Sequence, residues 1–169
     1  MPYIKEERKE TLSVEGEWAY GAYEYKANKL LDEFCQGLKE RKLIGSLCPS
    51  CGKVIVLPRA ICGRCHRKMT ERTTVSDKGT VLSYIVSPPM VKGKYKMFGV
   101  DPVELGIVKE GESLIPANVR FDGSDSPFNT LILNAKPEEV NIGMRVKVVW
   151  KKELAGNLSD IEGVEPIRG

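Results

Sequence analysis

Four cysteines carry the clearest chemistry of this sequence. They stand in two pairs of equal spacing, Cys48-Pro49-Ser50-Cys51-Gly52 and Cys62-Gly63-Arg64-Cys65. Two residues between cysteines let both thiolates converge from one tight turn, and a tetrahedral zinc ion takes four such soft ligands. Gly52 and Gly63 are expected to give the two turns their backbone freedom. Between the pairs runs Val54-Ile55-Val56-Leu57, a short strand able to return the chain to the second turn. One structural zinc per chain is therefore expected on Cys48, Cys51, Cys62 and Cys65. Two disulfides or unligated thiols compete with this reading, and iron fits the same sulfur cage. Four thiolates leave no open position for water, so no catalytic zinc is implied.

Other candidate chemistry is sparse. His66 is the only histidine and follows Cys65 directly; it is read as a neighbour of the metal site or a surface residue, with ligation the minor alternative. Cys35 falls on the apolar face of a helical pattern with Leu31 and Leu38 and reads as a small buried hydrophobe. Nothing near His66 supplies a nucleophile elbow, and the chain has neither a GxxxxGK[ST] phosphate loop nor a GxGxxG fingerprint. Carboxylates such as Asp122, Asp125, Glu138 and Glu139 lie in polar, turn-like contexts. The chain is accordingly expected not to be an enzyme.

Several elements must position the cysteines. Residues 1–16 read as a solvated, charged arm. From 17 to 41 no proline occurs, and Ala27, Leu30, Leu31, Phe34 and Leu38 recur at helical spacing, with a break expected near Gly37. Trp18, Tyr20, Tyr23 and Tyr25 crowd the start of that segment; they either dock onto the fold or form a surface for a partner. After the cysteines the period changes to alternation. Strands are expected at 79–87, 103–109, 113–121 and 145–152, with a weaker one at 130–134. Asp122-Gly123 and Glu110-Gly111 punctuate them as turns. Short strands without intervening helices point to a small antiparallel barrel, so the chain is mainly β. The expected division is 1–42 for arm and helical segment, 43–70 for the cysteine section and 71–169 for the barrel, the last with a core of its own.

Composition sets the class. With 41% hydrophobic and 29% charged residues the chain reads as an ordinary globular protein. No apolar run approaches the roughly 20 residues that span a bilayer. The charged N-terminus lacks a signal-peptide stretch, and paired cysteines suit a reducing compartment, so a cytoplasmic location is expected. A net charge of +3 is too mild to demand a nucleic-acid partner.

A family resemblance rests on motifs in a fixed order. A helical segment leads into Arg41-Lys42-Leu43-Ile44-Gly45-Ser46-Leu47 and the first cysteine pair; then come Leu57-Pro58-Arg59-Ala60-Ile61 and the second pair, Gly79-Thr80-Val81-Leu82-Ser83-Tyr84, and Ile142-Gly143-Met144-Arg145-Val146-Lys147-Val148-Val149-Trp150. Over residues 17–168 the chain resembles the zinc-ribbon plus OB-fold family long catalogued as a domain of unknown function and linked to acyl-CoA metabolism. The resemblance implies a rubredoxin-like zinc ribbon on the four cysteines and a C-terminal OB-fold barrel. It implies no catalytic residue. It implies a non-catalytic scaffolding or acyl-CoA-binding subunit beside a thiolase-like or hydroxymethylglutaryl-CoA-synthase-like enzyme.

For a CoA ester, cations must meet phosphates next to an apolar slot. Lys92, Lys94 and Lys96, interleaved with Tyr95, Met97 and Phe98, are the candidate ligand-binding residues, with a plain basic loop as the alternative. The competing function is single-stranded nucleic-acid binding. Barrels that do this stack bases on aromatic side chains, and the strands expected at 103–109 and 113–121 hold only Phe121.

Overall fold

The computed structural model describes residues 28–94, 96 and 101–168. Trp18, Tyr20, Tyr23, Tyr25 and Ala27 lie outside the described residues, as do Tyr95, Met97 and Phe98.

Of the expected helical segment, α1 occupies Lys29–Lys39. Asn28 starts it: its backbone is extended and its side chain accepts a hydrogen bond from the Leu31 N–H at 2.9 Å, which satisfies one of the first turn's orphan donors. The break expected near Gly37 does not occur. Gly37 is buried inside the helix because β1 passes so close that a Cβ there would stand 2.6 Å from Ile44 Cδ1. The helix ends instead after Lys39, and two residues on Arg41 takes the left-handed conformation (φ 56°). Arg41 N–H donates to Leu38 and Lys42 N–H to Gly37, both at 2.9 Å, the paired closure that satisfies a helix's last carbonyls.

A three-stranded antiparallel sheet follows, ordered β2-β1-β3: β1 is Leu43–Leu47, β2 is Val54–Ile55 and β3 is Glu71–Val75. β3 pairs with all of β1, from Leu43↔Val75 to Leu47↔Glu71, so residues 71–75 sit in the cysteine-bearing sheet although a division at residue 70 would leave them with the barrel. The five later strands are β4 (Lys78–Tyr84), β5 (Pro116–Phe121), β6 (Phe128–Leu131), β7 (Arg145–Trp150) and β8 (Ile161–Pro166), in the order β6-β5-β4-β7-β8. All neighbours are antiparallel. The sheet curls until β6 meets β8 through a parallel bridge, Ile132↔Val164, which closes the five-stranded OB-type barrel. Among the described residues the fold is mainly β, with one α-helix, a cysteine ribbon and this barrel.

Two sequence expectations fail here for physical reasons. Residues 103–109 form no strand. The buried Asp101 carboxylate accepts hydrogen bonds from the N–H groups of Val103 and Glu104, and Ile107 N–H turns back to the Pro102 carbonyl. Donors a strand would offer sideways are consumed within a turn. Nor is the barrel's core separate from α1 and the ribbon's sheet, although the metal end keeps a small cluster of its own around Cys48, Cys62 and Met69. Phe34 and Leu38 of α1, Leu43 of β1 and Val56 join Val81, Val119, Phe121, Val146 and Val164 in one buried cluster.

Candidate metal centre

Each cysteine pair sits in the same kind of turn. In the first, Gly52 N–H returns to the Cys48 carbonyl at 2.9 Å and Cys48 N–H donates to Lys53 O at 2.9 Å. In the second, His66 N–H returns to Cys62 at 3.0 Å and Cys62 N–H donates to Arg67 O at 2.9 Å. Superposing the two patterns places His66 where Gly52 stands. Both are left-handed, Gly52 at φ 69° and His66 at φ 56°. Gly63 has no such requirement, so the freedom expected of it falls on His66. Histidine is among the non-glycine residues that enter this region with some ease. Aligning CPSCGK with CGRCHR reveals this position in the sequence itself.

The four sulfurs converge. Cys48 Sγ lies 3.4 Å from Cys65 Sγ, Cys51 Sγ lies 3.7 Å from Cys62 Sγ and 3.9 Å from Cys65 Sγ, and all four fall within 4.8 Å of one another. Thiolates about 2.3 Å from a central zinc stand roughly 3.8 Å apart at the corners of a tetrahedron, so the cage has the right size. Cys48 and Cys62 are buried while Cys51 and Cys65 are half-buried, with Met69 packed against them. His66 is exposed, and the converging set is the four cysteines.

Backbone N–H groups aim at the sulfurs and tune them. In the absence of an ion, the N–H groups of Cys65 and Arg64 lower the Cys62 thiol to about 6 against the opposing effect of burial. The Cys51 N–H likewise lowers Cys48. For Cys51, the Lys53 N–H works to lower it, but burial and the neighbouring thiols win and push it up to about 11. Four thiols this close cannot all ionise without a shared cation. A divalent ion removes that conflict, which is the chemical fit of the cage to zinc. Cys35, half-buried on α1, is raised by burial and by Asp32 and Asp160, in keeping with a packing role.

Tertiary contacts hold the ribbon in place. Asp125, in the β5–β6 turn, accepts from Lys53 Nζ at 2.7 Å and from Val54 N–H at 2.9 Å, and its own N–H donates to Val54 O at 2.8 Å. Ser126 Oγ accepts from Val56 N–H and donates to Val56 O, both at 2.9 Å. Ser46, fully buried on β1, accepts from Arg59 N–H at 3.0 Å and donates to Arg59 O at 2.9 Å. The sequence shows Asp125 as a turn carboxylate and marks neither Ser126 nor Ser46, since a serine or aspartate in a turn ordinarily faces water.

Lys92, Lys94 and Lys96 are exposed on the long β4–β5 connection. Lys92 Nζ lies 3.9 Å from Glu104, and the Gly93 N–H donates to the buried Asp101 carboxylate, which fixes the backbone beside Lys92. That N–H is the chief cause holding Asp101 below its ordinary value. On the barrel's outer face, β5 and β6 present Asn118, Arg120 and Asn129; Asn129 Nδ2 reaches Asn118 Oδ1 at 3.4 Å, and Asn118 Nδ2 reaches Ser83 Oγ at 3.0 Å. Among the described residues no helix is long and apolar enough to cross a membrane.

Comparison with known proteins agrees with this geometry. The family model for the ChsH2 rubredoxin-like zinc ribbon domain matches residues 36–70. A DUF35 domain-containing scaffold protein of Methanocaldococcus jannaschii is 32% identical over 127 residues, covering 74% of this chain and 79% of that protein. Two solved structures share the fold. A DUF35-family protein of unknown function from Sulfolobus solfataricus has a TM-score of 0.58 at 21% identity, over 82% of this chain and 86% of that one. The Ltp2-ChsH2(DUF35) aldolase has a TM-score of 0.54 at 19% identity, over 85% and 98%. With a zinc-ribbon match on the four converging cysteines, the cofactor of this chain is a structural zinc ion.

Proposed function

The chain belongs to the DUF35 family, and on that premise we propose that it is a non-catalytic scaffold subunit of a cytoplasmic acyl-CoA enzyme, thiolase-like or hydroxymethylglutaryl-CoA-synthase-like. The observation that carries the reading is the relative named a scaffold protein, at 32% identity over most of both chains. The metal site is in keeping with it: four thiolates saturate zinc, so the ion holds the ribbon's shape and offers no position for a substrate. Lys92, Lys94 and Lys96 are proposed to face the phosphates of a CoA ester at the enzyme's entrance, where clustered cations serve as point charges for phosphate.

The experiment is co-purification of the tagged full chain from its native host, with mass spectrometry of what accompanies it and calorimetric titration of the complex with CoA. A stoichiometric acyl-CoA enzyme is the expected companion. Charge reversal at Lys92, Lys94 and Lys96 should weaken CoA binding by the complex and leave assembly intact. The competing reading wins if single-stranded nucleic acid binds at micromolar affinity while CoA esters fail to bind even with the partner present. Base-stacking OB surfaces carry aromatic platforms, and the outer positions of β5 and β6 are Pro116, Asn118, Arg120, Asn129 and Leu131, which weighs toward the scaffold.

A further inference from the structure

The barrel is closed at one point of its seam and open beside it. β6 and β8 meet at Ile132↔Val164, where Leu133 N–H donates to Val164 O at 2.7 Å. Toward the start of each strand they part, leaving a groove of about 430 Å³ against the ribbon, within the size range of ligand sites. Its walls are mostly apolar: Val56 and Leu57 from the ribbon, Phe128 and Leu131 from β6, Leu158 and Ile161 from the approach to β8. Leu57 and Leu158 are 38% and 49% exposed, so apolar side chains face the open groove.

Two further features mark the kind of occupant. Ile132 N–H is bonded to Ile115 O at 2.9 Å. Alternation along an antiparallel ladder then turns the backbone groups of Thr130 and Phe128 toward β5 and directs those of Asn129 into the groove. A sheet edge with a directed N–H and C=O pairs readily with an extended chain. The second feature is Arg59, exposed on the ribbon wall. Buried Ser46 pins its backbone from both sides, so the point from which the cation reaches is set. Glu162 stands on the wall formed by β8.

We propose that this groove receives an extended segment of the partner enzyme, apolar at alternate positions, bonded through its backbone to Asn129 and carrying a carboxylate that meets Arg59. The inference rests on the scaffold reading and adds to it the docking site and the chemistry of the docked segment. A guanidinium and a carboxylate form paired, directional bonds, and alternation puts every second side chain into an apolar trough.

The test uses the zinc-loaded full chain. An acetylated, amidated peptide of alternating valine and threonine with one glutamate is titrated against isotope-labelled protein, beside the same peptide with lysine for glutamate. The glutamate peptide should move the amide signals of Asn129, Leu158 and Arg59 and bind about tenfold more tightly than the lysine peptide. Arg59→Glu should reverse that preference. In co-purification from the native host, Leu158→Asp and Arg59→Glu should each cut the recovered enzyme about tenfold, with zinc content and melting temperature unchanged. Equal binding of both peptides, or shifts confined to other surfaces, overturns the inference. Undiminished enzyme with both variants overturns the groove and leaves the scaffold reading standing. No enzyme with the wild-type chain overturns the scaffold reading and the occupant with it. A photocrosslinker at Leu158 that captures the chain's own residues 1–27, or a second copy, also overturns it.

Discussion

The cysteine turn at residues 48–53 leaves β1 and enters β2, so a strand lies on either side of it. Its far strand is clamped to the barrel by Asp125 and Ser126. The turn at 62–67 hangs between Arg59 and Met69, with one bridge, Ile61↔Lys68, at its base. Both turns close with the same hydrogen bonds. Local chemistry therefore makes the two halves of the metal site alike, while the barrel clamps only the first directly. The second is held by Ser46 at its approach, by Met69 N–H on the Ala60 carbonyl at 2.8 Å, and by the metal.

Loss of a ligand should separate the two halves most clearly. Cys48→Ser and Cys62→Ser should both abolish stoichiometric zinc, because structural zinc contributes about 10 kcal/mol of apparent folding energy to small domains. Cys62→Ser should disorder mainly residues 59–69. Cys48→Ser should also broaden barrel resonances, since Leu43 and Val56 on its side belong to the barrel's core. Zinc analysis and a two-dimensional amide spectrum of each variant check this; equal damage to the barrel in both would end the distinction.

Ser46→Ala comes next. It leaves the part-buried N–H and C=O of the Arg59 peptide groups without the hydroxyl, at a cost of about 1 kcal/mol in urea unfolding. The second turn should become the first region to exchange its amide hydrogens, while the first keeps its protection.

Asp125 gives a pH-dependent version of the comparison. The Lys53 hydrogen bond, and after it the Val54 N–H, hold its folded pKa below the ordinary value. A carboxylate with a depressed folded pKa adds stability above its unfolded value, about 3.9, and that stability is lost as pH falls through the folded value. Wild type should therefore exceed Asp125→Asn by a constant margin above about pH 4, and the margin should close in acid. Both partners are about a third exposed, so solvent screens the pair and the margin should be about 1 kcal/mol. Differencing melts of the two proteins at each pH cancels the acid release of metal common to both.

A pair of effects of opposite sign belongs to the left-handed positions. His66→Gly should raise stability by about 0.5–1 kcal/mol, since glycine adopts that conformation without strain. Gly52→Ala should cost about 1–2 kcal/mol for the same reason, although a Cβ there meets nothing within 4 Å. Chemical denaturation of the two variants, run at equal zinc content, checks both signs.

Much of the site was legible in the chain. Thiolate spacing is a local property, so CxxC repeated at short separation announces a tetrahedral cage before any fold is known. Alternation announced β4, β5 and β7, whose inward residues include Val81, Ala117, Val119, Phe121, Val146 and Val148. It failed for β8, where Ile161 and Val164 are the only large apolar residues and Gly163 is required because Leu131 O approaches within 2.6 Å of where a Cβ would stand. It failed for β3 as well, whose residues Glu71-Arg72-Thr73-Thr74-Val75 bury only the last. A strand defined by its neighbours carries little pattern of its own.

By itself, then, the sequence determined what short-range chemistry can determine: four ligands in two tight turns, a helix within residues 17–41 though not its start at Asn28, and alternating strands with a turn at Asp122-Gly123. Only the tertiary structure decided that α1 and the ribbon's sheet share the barrel's core, that Asp125, Ser126 and Ser46 serve as anchors, and that a groove opens where β6 and β8 part. The reason is separation along the chain. Val54 and Asp125 lie 71 residues apart, as do Lys53 and Asp125 by 72, and a polar side chain's preference for a partner over water appears once folding has removed the water.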